Sequence, residues 1–134
     1  FNPKNFETVL VDELIPYIDS NFRTIPNKKN RAMAGLSMGG METKNITLAR
    51  PEVFDYYGLF SGGTYSPSDL KDVKPRLIFT SCGSKENPEG VKKSVEDLKA
   101  AGFNAVSYVS DGTAHEFLTW RRSLKEMAPL LFKK

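Results

Sequence analysis

The sequence predicts an α/β protein in which helices cover both faces of a parallel sheet. Three observations carry that prediction. Short apolar runs of strand length alternate with stretches of helical periodicity along the chain, the order of a parallel sheet rather than of an all-β or all-α protein. A glycine-rich turn follows directly on the first of these runs and leads into a helical stretch. The 134 residues are 40% hydrophobic and 26% charged, a globular composition at the length of one domain or a part of one.

The elements follow in order. Phe6, Val9, Leu10, Leu14, Ile15, Ile18 and Phe22 recur at three- and four-residue steps and predict an amphipathic helix over residues 4–22. Pro16 has no N–H to donate, so a kink or a boundary is expected near Ile15. Asn27 to Asn30 reads as a polar turn, and Arg31 to Gly35 as a short buried strand. A second helix runs from Met38 to Ala49 and ends before Pro51. Phe54 to Phe60 is a second strand, closed by Ser61-Gly62-Gly63. Residues 64–75, rich in Ser, Pro, Asp and Lys, predict a loop. Arg76 to Cys82 is the clearest buried strand, ended by Gly83. Val91, Val95, Leu98 and Ala101 mark a helix stopped by Gly102 as its C-terminal cap. Ala105 to Val109 is the fourth strand, and Phe117 to Phe132 the last helix. Four strands make a small sheet for an α/β enzyme.

Charge and composition exclude several partners. Nineteen basic against sixteen acidic side chains leave a net charge of +3, and the basic residues are scattered, Lys28, Lys29 and Arg31 being the nearest to a cluster. That argues against a nucleic-acid partner. No apolar run approaches the ~20 residues of a membrane-spanning helix, so no membrane partner is expected. A single cysteine, Cys82, forms no internal disulfide, and with one histidine, His115, a zinc site built on His and Cys is not expected. The chain starts at Phe1 without a basic-then-apolar leader, which suggests a processed, trimmed or partial chain.

Gly35-Leu36-Ser37-Met38-Gly39, followed by Gly40, carries the strongest chemical signal. A serine on a very tight strand-to-helix turn takes strained backbone angles, and side chains two positions to either side would strike neighbouring backbone. Glycine at 35 and 39 removes that clash and leaves the Ser37 hydroxyl clear at the C-terminal edge of the sheet. The Met38 N–H, in the first turn of the helix, is placed as an oxyanion donor. A serine hydroxyl needs a base, and His115 stands in the loop Asp111-Gly112-Thr113-Ala114-His115 after the last strand. Serine first, with histidine in the final loop, is the chain order of the α/β-hydrolases. The orienting acid should lie between them. Glu86, in Gly83-Ser84-Lys85-Glu86-Asn87, is favoured on sequence order, and Asp111, Asp69 and Asp72 compete. Cys82 reads as a buried small residue rather than a nucleophile. Asn45-Ile46-Thr47 fits a glycosylation sequon but falls in a helix and is expected to be partly buried, so it carries no weight. Trp120 could stack on a sugar or aromatic ring of a substrate; packing the last helix against the His115 loop is the favoured role.

Three further segments give the chain a family likeness. Leu14-Ile15-Pro16-Tyr17-Ile18, Asn21-Phe22 and Arg31 to Gly40 resemble the esterase D-like α/β-hydrolases, and within them the bacterial feruloyl esterases of carbohydrate esterase family 1. Phe79 to Glu86, His115-Glu116-Phe117 and Trp120-Arg121 are similar as well. The resemblance implies Ser37 as nucleophile and His115 as base, with Glu86 where the family usually has aspartate. It also implies that residues 1–134 are a single α/β-hydrolase domain, and a partial one. About four strands would precede the first helix, in a half that also supplies a second oxyanion N–H. The strand at 31–35 would then have an open hydrophobic edge, to be covered by that N-terminal half or by a second chain.

The implied activity is that of a serine carboxylesterase acting on hydroxycinnamoyl (feruloyl) or acetyl esters of plant cell-wall polysaccharide, secreted or periplasmic, with no metal or organic cofactor. Two alternatives stand beside it: an esterase for a small ester or thioester, such as a siderophore or S-formylglutathione, and a catalytically silent hydrolase-like binding module.

Overall fold

The computed structural model describes residues 3–133. Its four strands, β1 (Ala32–Leu36), β2 (Tyr56–Phe60), β3 (Leu77–Gly83) and β4 (Ala105–Ser110), form one parallel sheet in the order β1-β2-β3-β4. Parallel neighbours need crossovers, and helices supply them. α3 (Met38–Ala49) joins β1 to β2, the single turn α4 (Pro67–Leu70) lies between β2 and β3, α5 (Pro88–Ala100) joins β3 to β4, and α6 (Phe117–Met127) follows β4. Leu36 pairs with Phe60, Phe60 with Ser81 and Gly83 with Ser110. The strand ends are thus aligned, and the loops that leave them meet at one edge of the sheet.

Side chains alternate between two cores, as the two-residue period of a strand requires. Tyr57 and Leu59 of β2 and Ile78 of β3 face Ile46 of α3 and Val95 and Leu98 of α5. Tyr56, Phe60, Leu77 and Phe79 face Trp120 and Met127 of α6 on the opposite side. Every residue of β2 and β3 is buried, which accounts for their near-continuous apolar sequence.

β1 departs from its expectation as a buried strand. It ends the strand order, and Ala34 and Leu36 are exposed because no strand flanks them on the far side among the described residues. The first helix departs too. It is helical throughout, but winds as α1 (Pro3–Glu7), a wider π-helical stretch (Thr8–Leu14) and α2 (Ile15–Asn21). The change of winding falls at Ile15, whose N–H reaches back five residues to the Leu10 carbonyl just before Pro16, so the proline is accommodated without a break. No residue of its expected apolar stripe is buried: Phe6, Val9, Leu14 and Phe22 are exposed and Leu10, Ile15 and Ile18 half-buried, while Val11, off that stripe, is the buried one. A cavity of about 660 Å³, lined by Leu10, Leu14, Ile18, Ile25 and Ala32 among others, separates this helix from β1.

Two smaller differences have local causes. The loop over residues 64–75 contains α4, because Ser66 accepts from the Asp69 N–H while the Asp69 carboxylate accepts from the Ser66 N–H, a reciprocal cap. The last helix stops at Met127 and tightens into a 3₁₀ turn (Ala128–Leu130) at Pro129, which cannot donate to the helical ladder. Gly102, expected as a cap, takes φ +92° after α5.

α3 meets the end of β2 backbone to backbone. A Cβ on Gly40 would stand 2.7 Å from the Gly62 Cα and 2.8 Å from its carbonyl oxygen. No rotamer change relieves a clash with backbone. Gly40→Ala is therefore expected to lose roughly 1–3 kcal/mol to overpacking, more than the ~1 kcal/mol that alanine gains over glycine in a helix. Urea unfolding of the two proteins checks this, and an unchanged midpoint would contradict it.

Candidate active site

Ser37 is the single residue between β1 and α3. Its backbone lies at φ 54°, ψ −122°, in a region that L-residues rarely adopt, and tertiary contacts hold it there. The Ser37 N–H donates to the Phe60 carbonyl at 2.9 Å, extending the β1–β2 ladder by one residue, and its own carbonyl accepts from the Gly40 N–H at 3.0 Å. A Cβ on Gly35 would run into the Gly39 carbonyl. Gly39 itself behaves otherwise than expected: a Cβ there meets nothing within 4 Å. The steric demand thus falls on Gly35, and it is the Gly39 backbone, not a side chain at 39, that fills the tight space. Met38 opens α3, so its N–H is one of the first-turn donors that have no helical acceptor.

The Ser37 Oγ lies 2.8 Å from His115 Nε2, across 78 residues of sequence. His115 Nδ1 lies 2.8 Å from Glu86 Oε2. Backbone contacts bind the Glu86 and His115 loops to each other. Ser84 N–H donates to the Ser110 carbonyl, Lys85 N–H to the Thr113 carbonyl, and Gly112 N–H to the Ser84 hydroxyl, at 2.8–2.9 Å. Gly83 permits this approach, because a Cβ there would strike the Thr113 carbonyl.

Burial pushes the Glu86 carboxyl up, but hydrogen bonds from the Gly83 N–H, Ser61 and His115 together outweigh it and hold the group below the usual carboxylate range. Glu86 is therefore ionised at neutral pH and can only accept. It follows that Nδ1 of a neutral His115 carries the proton, Nε2 is the acceptor, and the Ser37 hydroxyl donates to it.

The competing carboxylates are engaged elsewhere or stand apart. Asp69 caps α4 and pairs with Lys44 at 3.4 Å. Asp111 offers its backbone carbonyl to Arg122. Neither they nor Asp72 takes the position at His115 Nδ1, which Glu86 occupies.

Trp120 is buried and stands edge-on to His115, with ring centres 5.0 Å apart, so α6 packs against the histidine loop. Its Nε1–H donates to the Ser61 hydroxyl at 3.1 Å, and the Ser61 hydroxyl donates to Glu86 Oε1 at 2.7 Å. Ser61 escaped the sequence reading, which took Ser61-Gly62-Gly63 only as the end of a strand. Between the ends of β1 and β2 and α6, Leu36, Phe60, Phe117, Leu118, Trp120, Arg121 and Leu124 line a largely apolar cavity of about 620 Å³, to which neither Ser37 nor His115 contributes. Cys82 is buried, and burial pushes its thiol up, as suits an inert core residue. Asn45, expected to be partly buried, is exposed, whereas Thr47 of the same sequon is buried against the Tyr65 hydroxyl at 2.6 Å.

The lowered carboxyl of Glu86 links the site to stability. A group whose pKa is lower folded than unfolded stabilises the fold above its unfolded value, ~4.3 for glutamate, and loses that contribution as pH falls through its folded value. The stability advantage of the wild type over Glu86→Gln should therefore be full at pH 6 and shrink below about pH 4. Urea unfolding across that range measures it; an advantage independent of pH would show that the carboxylate is not held by these donors.

Comparison with known proteins identifies the family. A family model described as putative esterase matches residues 2–128. An endo-1,4-β-xylanase/feruloyl esterase of Xylanibacter ruminicola is 67% identical over 134 residues, covering 99% of this chain and 18% of that protein. A ferulic acid esterase of carbohydrate esterase family 1 from Anaeromyces mucronatus superposes with a TM-score of 0.78 at 18% identity, over 96% of this chain and 54% of that one. An S-formylglutathione hydrolase of Staphylococcus aureus gives 0.74 at 12% identity, over 98% and 66%. At those identities the two solved structures establish the shared α/β fold. The chain thus spans about a fifth of the bacterial relative and roughly half to two thirds of the solved chains. With the family model covering all but a few of its residues, the chain belongs to the putative esterase family.

Proposed function

We propose that this chain carries the nucleophile, base and acid of a serine carboxylesterase, and that Ser37, His115 and Glu86 fill those roles in that order. The observation that carries the reading is the continuous run of hydrogen bonds from Ser37 through His115 to Glu86, built on a strained turn at a serine. His115 Nε2 takes the Ser37 proton as Oγ attacks the ester carbonyl, and the imidazolium is stabilised by Glu86. The Met38 N–H donates to the oxyanion. His115 then returns the proton to the departing alcohol oxygen, leaving an acyl-Ser37. In the second half His115 removes a proton from water, hydroxide adds to the acyl carbon, and the Ser37 oxygen leaves with the proton from His115.

The substrate class we infer is a hydroxycinnamoyl or acetyl ester of plant cell-wall polysaccharide, which would place the protein outside the cell or in a periplasm. One observation supports it: the 67% identical relative is named as a xylanase and feruloyl esterase. The exposed edge of β1 and the uncovered apolar side of the first helix support one further element of the proposal. Additional chain, from the same polypeptide or a second one, covers this side and supplies the second oxyanion donor.

The test uses the full polypeptide that contains this chain. Ser37→Ala should fold and lose on the order of 10⁴–10⁶ in kcat on methyl ferulate, and it should no longer be labelled by a fluorophosphonate, which reacts with a serine activated by histidine. Activity of Ser37→Ala within tenfold of wild type would sink the serine mechanism. Turnover of an aryl acetate with none of methyl ferulate would move the substrate class to small esters; no turnover and no labelling would favour a binding module. Glu86→Gln should lose on the order of 10⁴ in kcat by presenting the wrong tautomer of His115. A Glu86→Gln enzyme with wild-type kcat would remove Glu86 from the mechanism.

A further inference from the structure

Glu86 has two carboxylate oxygens, and the mechanism uses only Oε2. Oε1 accepts from the Gly83 N–H at 2.8 Å and from the Ser61 hydroxyl at 2.7 Å. The direction of the second bond is set by a donor further on. Trp120 Nε1–H can only donate, and it points at the Ser61 oxygen at 3.1 Å, so the single Ser61 proton is left for Glu86. The same indole stands edge-on against the His115 ring. Trp120 therefore touches both ends of the Glu86–His115 pair, the imidazole directly and the carboxylate through Ser61.

The backbone at Ser61 adds a second, independent observation. Ser61 has φ +52°, a left-handed conformation that glycine adopts freely and serine does not. The two residues that follow it are both glycine, yet this position carries a side chain. Its placement is not free to relax: the Ser61 N–H donates to the Ser81 carbonyl at 2.8 Å, and Gly62 is pressed against Gly40 and the Ser37 carbonyl. A non-glycine residue held in this region is a strained position, and here the strained side chain is the one that contacts Glu86.

We infer that Ser61 is a positioning residue for the acid, fixing Glu86 so that Oε2 faces His115 Nδ1, with Trp120 orienting the Ser61 hydroxyl. The inference rests on the proposed roles of Ser37, His115 and Glu86. Without the Ser61 hydroxyl, Oε1 is held by the Gly83 N–H alone and the carboxylate can turn about it, so that the Nδ1–H bond is made only part of the time. The consequence falls on proton transfer at Nε2 and not on substrate binding.

Ser61→Ala keeps the backbone cost and removes only the hydroxyl. In the full polypeptide, kcat on an aryl acetate is expected to fall roughly 10- to 100-fold, the rate equivalent of one lost hydrogen bond to a charged group. KM should stay within about twofold, and the far-downfield proton resonance of the His115 Nδ1–H should broaden or vanish. Trp120→Phe keeps the ring against His115 but loses the donor, and should lower kcat by less than Ser61→Ala, again with KM unchanged. Should Ser61→Ala fail to fold, Ser61→Gly removes the same hydroxyl while relaxing the backbone, and decides the matter. A kcat within twofold of wild type in the folded Ser61 variant, or a loss that appears in KM with the Nδ1–H resonance intact, would overturn the inference. Ser37→Ala run alongside separates the two readings. If it is inactive while the Ser61 variant is normal, only the role of Ser61 falls. If it is active, the serine mechanism falls first.

Discussion

A carboxylate drawn partly out of water has to be met by donors, and at the end of this sheet the donors come from three different strands. Glu86 accepts from Ser61 just beyond β2, from Gly83 at the end of β3 and from His115 in the loop after β4. One anion thus ties together three chain segments that would otherwise be independent surface loops. The arrangement also orders the protons. An acceptor-only Glu86 leaves a single tautomer for His115, and that tautomer leaves a single direction for the Ser37 hydroxyl. The chemistry proposed for Ser37 depends on that direction, and so on an acid that does not turn.

The serine end depends on a different constraint, the distance of closest approach between backbones. α3 can start directly after β1 because Gly35 carries no side chain to meet Gly39, and it can lie on the end of β2 because Gly40 and Gly62 touch without side chains. These contacts fix Ser37 in an unfavourable conformation and direct it toward His115. Carboxylate and glycines act on the same small volume from opposite sides: electrostatics position His115, sterics position Ser37.

The rest of the molecule is unevenly finished around that volume. β2 and β3 are buried on both faces, and two apolar cores hold α3 and α5 on one side and α6 on the other. Toward β1 the packing thins, with an exposed strand edge, an apolar cavity and a first helix whose hydrophobic side is largely uncovered. A sheet edge of this kind has unpaired backbone donors and acceptors beside apolar surface, the features natural proteins cover with further structure.

The sequence by itself determined the alternation of strands and helices, the parallel class of the sheet and the place of the turn at Ser37. Each of these is written in short-range patterns: the period of apolar residues, the position of prolines, glycine spaced about a serine. It also narrowed the partner of Ser37 to His115, since no other histidine exists in the chain. What it left open was decided by tertiary structure. Chain order favoured Glu86 but admitted Asp69, Asp72 and Asp111. Strand register settled which of them meets His115, bringing together residues 29 apart in sequence. Ser61 was invisible, because its contacts to Glu86 and Trp120 span 25 and 59 residues and no local pattern marks them. The demand for glycine was read at both 35 and 39 and is real only at 35, since the space around a Cβ belongs to the folded neighbours and not to the pentapeptide. The exposure of β1 and the first helix has the same origin. Periodicity says which side of an element is apolar, and only the packing of the whole chain says what, if anything, lies against it.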